Sequence, residues 1–146
     1  MNVKQVVMAL AVPLFLSGCF GSYARSGRGE TCERAIKQYT SMLRWQEAEK
    51  AALVFVDDSQ RDRYTQSAQA LRQRGGSVAD YRILAQQCLS EQGEGKATVE
   101  FFYYIMPDSR LKTVTDYQKW RFREERVTAG DPGQGWKLLS PLPDFN

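Results

Sequence analysis

The chain has 146 residues, 42% of them hydrophobic and 25% charged, and a formal net charge of +3, which suits one domain with its own core and demands no polyanionic partner. It contains no histidine, so Ser-His-Asp and Cys-His catalytic arrangements and histidine-ligated metal sites are excluded. There is no CxxC pair and no phosphate-cradling glycine loop ahead of a helix, so neither a metal nor a cofactor is expected.

Residues 1–18 read as an export signal. A single positive charge at Lys4 precedes the uncharged apolar run Val6 to Leu16 and the small residues Ser17 and Gly18. That run is shorter than the roughly 20 apolar residues that span a bilayer. The following Leu16-Ser17-Gly18-Cys19 resembles the lipobox of bacterial lipoproteins. The resemblance implies cleavage before Cys19, a diacylglycerol on its thiol and acylation of the new amine. Two or three acyl chains make a durable anchor, since each buried methylene contributes about 0.8 kcal/mol. Phe20, standing where the enterobacterial sorting scheme places aspartate for inner-membrane retention, implies the periplasmic face of the outer membrane. Nucleic acid is not an expected partner there. Cleavage would leave 128 residues, with 19 basic and 17 acidic side chains.

Residues 19–29, with Gly21, Ser22, Ser26, Gly27 and Gly29, have the composition of a flexible tether, which would reach at most about 35 Å and keep the domain near its membrane. Residues 30–146 then form one domain. Cys32, Ala35, Ile36, Tyr39, Met42 and Leu43 recur at spacings of three and four, and after a register shift near Trp45 so do Ala48, Ala52, Phe55 and Val56. Two helices are predicted, broken near Arg44 to Gln46. A third follows Asp57-Asp58-Ser59, where Asp57 and Gln60 have the spacing of a capping pair. It carries Tyr64, Ala68 and Leu71 and stops at Gly75-Gly76.

Four strands are predicted beyond it: Val78 to Leu89, Ala97 to Met106, Leu111 to Val127 and Trp136 to Leu139, separated by Gly93-Glu94-Gly95, Pro107-Asp108 and Asp131-Pro132-Gly133. Helices followed by antiparallel hairpins predict an α+β domain with the helices on one sheet face. Cys32 and Cys88 are free to pair if the compartment is oxidising, closing a loop that contributes about 4 kcal/mol in the chain-entropy model. Unpaired, they would be two small buried hydrophobes.

The element order, the segment Trp45-Gln46-Glu47-Ala48-Glu49-Lys50-Ala51 and the closing Gly135-Trp136-Lys137-Leu138 strand together resemble the nuclear-transport-factor-2-like, or cystatin-like, superfamily over Cys32 to Leu142. More narrowly, the end Ser140-Pro141-Leu142-Pro143 is similar to that of uncharacterised proteobacterial lipoproteins. The resemblance implies N-terminal helices packed in a strongly curved antiparallel sheet of about four strands, a cone. In ketosteroid isomerases and polyketide cyclases the cone interior is a substrate pocket, but no catalytic motif is carried over here.

Strand alternation supplies the candidate sites. Asp116, Gln118, Trp120 and Phe122 share one face of the third strand, and Tyr117, Lys119, Arg121 and Arg123 the other. With the first set inward, Tyr39, Tyr103, Asp116, Gln118 and Trp120 would line a pocket in which a desolvated Asp116 acts as base and Tyr39 or Tyr103 as donor. Otherwise Asp116 lies near the strand's solvated start and the tyrosines are core. The basic run through Arg126 reads as a solvated face with cross-strand ion pairs. Phe102, Tyr104 and Met106 form a second apolar face of strand two, a candidate surface for an envelope protein or a second copy. The expectation is a non-catalytic, lipid-anchored periplasmic binding or interaction domain. An accessory scaffold subunit of an envelope machine and a pocket enzyme of isomerase or cyclase type are the alternatives.

Overall fold

The computed structural model describes residues 20–146, with side-chain surroundings from residue 27 onward. The export signal and Cys19 lie outside the described residues. The elements run α1 (Phe20–Arg44), α2 (Ala48–Phe55), α3 (Asp58–Gln73), β1 (Gly76–Leu89), β2 (Glu94–Ile105), β3 (Asp108–Phe122), a 3-10 turn (Glu124–Arg126) and β4 (Trp136–Leu138). This is an α+β fold with an open four-stranded antiparallel meander in the order β1-β2-β3-β4.

The helical stripes bury as the spacing predicts. Cys32, Ala35, Ile36, Tyr39 and Leu43 on α1, Ala52 and Phe55 on α2, and Tyr64, Ala68 and Leu71 on α3 all join one core. That core packs on the sheet face carrying Val99, Phe101, Tyr103 and Trp120. The break between α1 and α2 falls where the register shifts, and Trp45 beside it is 67% exposed. Asp57 caps α3, although its side chain accepts from the Ser59 amide at 3.2 Å and not through a reciprocal bond with Gln60.

The segment expected to be a tether is helical in the structure, because α1 begins at Phe20. Glycine costs a helix interior about 1 kcal/mol relative to alanine, and tertiary contacts offset that cost here. The Trp136 indole N–H donates to the Arg28 carbonyl at 3.1 Å and to the Thr31 hydroxyl at 3.0 Å. The Arg28 guanidinium stacks 4.6 Å from the centre of the Phe122 ring. These three contacts hold Arg28 and Thr31 against the β4 edge of the sheet.

Cys32 and Cys88 form a disulfide that ties α1 to the end of β1 across a sequence separation of 56. Gly95 makes the junction possible, since a Cβ there would sit 2.8 Å from the Cys32 sulfur and 3.1 Å from the Trp120 Cβ. Two bulges, between Val78 and Asp80 and between Ile83 and Ala85, bend β1. The short edge strand β4 is covered by the end of α2: Val56 bridges to Leu138, and the Asp57 amide donates to the Leu138 carbonyl at 2.9 Å. Covering an edge in this way removes a template for unwanted pairing.

Candidate functional site

The β3 alternation resolves inward for the first set. Asp116, Gln118 and Trp120 are 5%, 2% and 2% exposed, whereas Tyr117 on the opposite face is 71% exposed. Register places Asp116 beside Val99, Gln118 beside Ala97 and Trp120 beside Gly95. The three polar groups then satisfy one another along their own strand: the Trp120 indole donates to the Gln118 carbonyl at 3.0 Å, and the Gln118 amide donates to the Asp116 carboxylate at 2.9 Å. Asp116 is therefore not at a solvated strand end.

Tyr39 and Tyr64 close the cluster from the helices, their hydroxyls 2.7 Å apart. Edge-on contacts join Tyr39 to Trp120 at 5.5 Å and Phe55 to Trp120 at 6.1 Å. Burial pushes the Asp116 carboxyl up to about 6 against the hydrogen bond from Gln118. Burial, followed by the neighbouring Tyr64 and Asp116, raises the Tyr39 hydroxyl well above the usual tyrosine range. Every fully buried side-chain polar atom among the described residues has a hydrogen-bond partner.

The expected pocket of Tyr39, Tyr103, Asp116, Gln118 and Trp120 is thus corrected to a packed polar knot and a separate tyrosine. These five side chains are each at most 5% exposed, and they line none of the five best-defined cavities among the described residues. The reason is volume, since Tyr39, Tyr64, Phe55 and Trp120 fill the space a substrate would need. Tyr103 belongs elsewhere: its hydroxyl donates to the Asn146 carbonyl at 2.5 Å, and its ring packs 5.0 Å from that of Phe145.

The candidate interaction face lies on the side of the sheet away from the helices. Phe102 and Tyr104 lie half-buried on the outer sheet face, with Asp80 and Thr113 flanking Phe102 and Ser77 beside Tyr104. Met106 falls beyond the end of β2, at the hairpin to β3, and is 54% exposed. Phe102 and Tyr104 stand next to one another on one face of β2, and Met106 lies just beyond its end. The basic run behaves as a solvated face whose partners come from elsewhere in the chain: Arg121 pairs with Glu94 at 3.2 Å, Arg123 with Asp57 at 3.1 Å and Arg126 with Asp58.

Sequence reasoning missed a groove of about 260 Å³ between α2, α3 and the start of β1, with Leu71, Val78, Leu142 and Phe145 in its apolar walls. Its signal was present only in part, because the apolar residues of the tail carry no period. Among the described residues no group of three or more His, Cys, Asp or Glu side chains is placed to hold a metal ion. No described helix is long and apolar enough to cross a membrane.

These features define an α+β domain whose three helices cover one face of an open antiparallel meander, with a filled core and a groove beside it. No protein-family model matches the chain, and no curated protein sequence matches it. Among solved structures it is similar to a SEC-C motif containing protein from Psychrobacter arcticus, at 14% identity and a TM-score of 0.57 over 96% of this chain and 78% of that one. The intermembrane space region of the chloroplast protein ARC6 matches at 10% identity and a TM-score of 0.41, over 82% of this chain and 95% of that one. At 14% identity the first likeness is one of fold alone.

Proposed function

We propose that this chain is a lipid-anchored domain at the periplasmic face of the outer membrane that works by binding, not by catalysis. The observation that carries the reading is the Cys32–Cys88 bridge, a cross-link that persists in oxidising compartments and agrees with the export signal and the lipobox ending at Cys19. The partner is an envelope protein or a second copy of the chain. Helices over the inner sheet face, with Asp116, Gln118 and Trp120 turned toward them, support a cystatin-like arrangement whose interior is filled. The packing around Asp116 supports a scaffold more than a pocket of isomerase or cyclase type, because the carboxylate is buried and already holds the Gln118 amide where a substrate would have to sit.

The anchor is tested by fractionation of Cys19→Ala cells. The substituted chain should leave the membrane pellet, and a chain that still sediments after a high-salt wash would overturn the anchor. Photo-cross-linking in intact cells from Phe102, Tyr104 and Met106, and from the groove, should recover a specific envelope adduct or a dimer. Specific adducts from neither surface would overturn the partner.

A further inference from the structure

The end of α1 closes in a Schellman motif: the Gln46 amide donates to the Leu43 carbonyl at 3.1 Å and the Glu47 amide to the Met42 carbonyl at 2.9 Å. The motif places its closing residue in the left-handed region, and Gln46 has a φ of 62°. Glycine serves such a position without strain, whereas a side chain there is strained. What glutamine adds is its amide, which donates to the Ser77 hydroxyl at 2.7 Å across the mouth of the groove.

The groove beneath is apolar. Leu43, Ala68, Leu71, Val78, Leu142 and Phe145 line it, and each is at most 8% exposed. Its volume is about 260 Å³, and an apolar cavity of roughly 150 Å³ already accepts benzene. The charged side chains at the rim are paired with one another, Lys50 with Glu47 and Arg72 with Glu49, each at 3.1 Å. The Gln46 carbonyl oxygen is left to accept one hydrogen bond, and the Ser77 hydroxyl to donate one.

We infer that this groove binds a small neutral molecule with an apolar body of one or two rings and a hydroxyl or amide head, which Gln46 and Ser77 hold at the mouth. The inference rests on the reading of the chain as a binding domain and names the ligand class. Residue Gln46 positions the head, and the tail residues Leu142 and Phe145 wall the body.

The test uses the full lipidated protein in nanodiscs, titrated calorimetrically with 2-naphthol and, as the headless control, naphthalene, with empty nanodiscs as the baseline. One saturable site is expected, preferring 2-naphthol by about tenfold. The Gln46→Gly chain should melt higher than the parent and lose that preference, and Ala48→Phe, which places a ring in the groove, should abolish saturable binding. No saturable heat above empty nanodiscs, or a Gln46→Gly chain that keeps the tenfold preference, overturns the inference whether or not Ala48→Phe folds. If 2-naphthol fails to bind while Ala48→Phe loses the cross-linked envelope adduct, the small-ligand inference falls and the binding domain stands, with a partner side chain in the groove. Saturable, head-selective binding by a chain that yields no adduct supports the inference and removes the protein partner instead.

Discussion

Asp116 sits beside Val99 with the Gln118 amide as its hydrogen-bond donor, and burial lifts its carboxyl from an ordinary 3.8 to about 6. The folded state therefore keeps a proton that the unfolded chain has released, over the window from about pH 4 to pH 6. The stability that Asp116 contributes is highest below the unfolded value, falls as pH rises through that window and levels off above it, by about 3 kcal/mol in all. Replacing Asp116 with Asn keeps the shape and removes the titration. Urea midpoints should show Asp116→Asn more stable than the parent at pH 7.5, with the advantage disappearing near pH 3.5. An equal advantage at both pH values would show that the carboxyl does not carry the effect.

At the scale of elements, two attachments hold pieces that have little local reason to stay. The first is the Cys32–Cys88 bridge between α1 and β1, which closes a loop of 56 residues in the unfolded chain. Replacing both cysteines with serine should lower unfolding free energy by about 4 kcal/mol in the chain-entropy model, read by denaturant titration of the oxidised parent and the variant. The second is the tail after β4, which has no regular structure and is held by burial of Leu142 and Phe145. The Phe145 carbonyl also accepts from Arg74 at 2.9 Å. Truncating this aromatic ring with Phe145→Ala should cost about 3 kcal/mol. Amide exchange should then accelerate in the tail and at the start of β1 before it does in β3.

For the whole molecule, the position of α1 links the anchor to the fold. The helix begins at Phe20, and its Arg28 and Thr31 are held at the β4 end of the sheet through Trp136 and Phe122. On the proposed anchor, Cys19→Ala should release the chain from membranes and leave its melting temperature within about 2 °C of the parent's, by the size relation between stability and Tm. A much larger drop would mean that the lipid or its membrane is part of the folded structure. The same geometry places the groove, built from Leu71, Val78 and Phe145, toward the opposite end of β1 from Cys88.

The sequence by itself determined the element order and which residues of β3 share a face, because helical spacing and strand alternation are local; it placed Glu94 and Gly95 in a turn and ran β3 on to Val127, whereas β2 begins at Glu94 and β3 ends at Phe122. It also supplied the two cysteines that pair, but not their surroundings. Only the tertiary structure decided that residues 20–29 are helical, since Arg28 and Thr31 gain their partners from Trp136, more than 100 positions away. Whether Asp116 faced a void or a packed cluster likewise depended on Tyr39, Tyr64 and Phe55, which come from three helices. The groove was hidden for the same reason: a cavity is the space left between elements, and no run of residues encodes its volume.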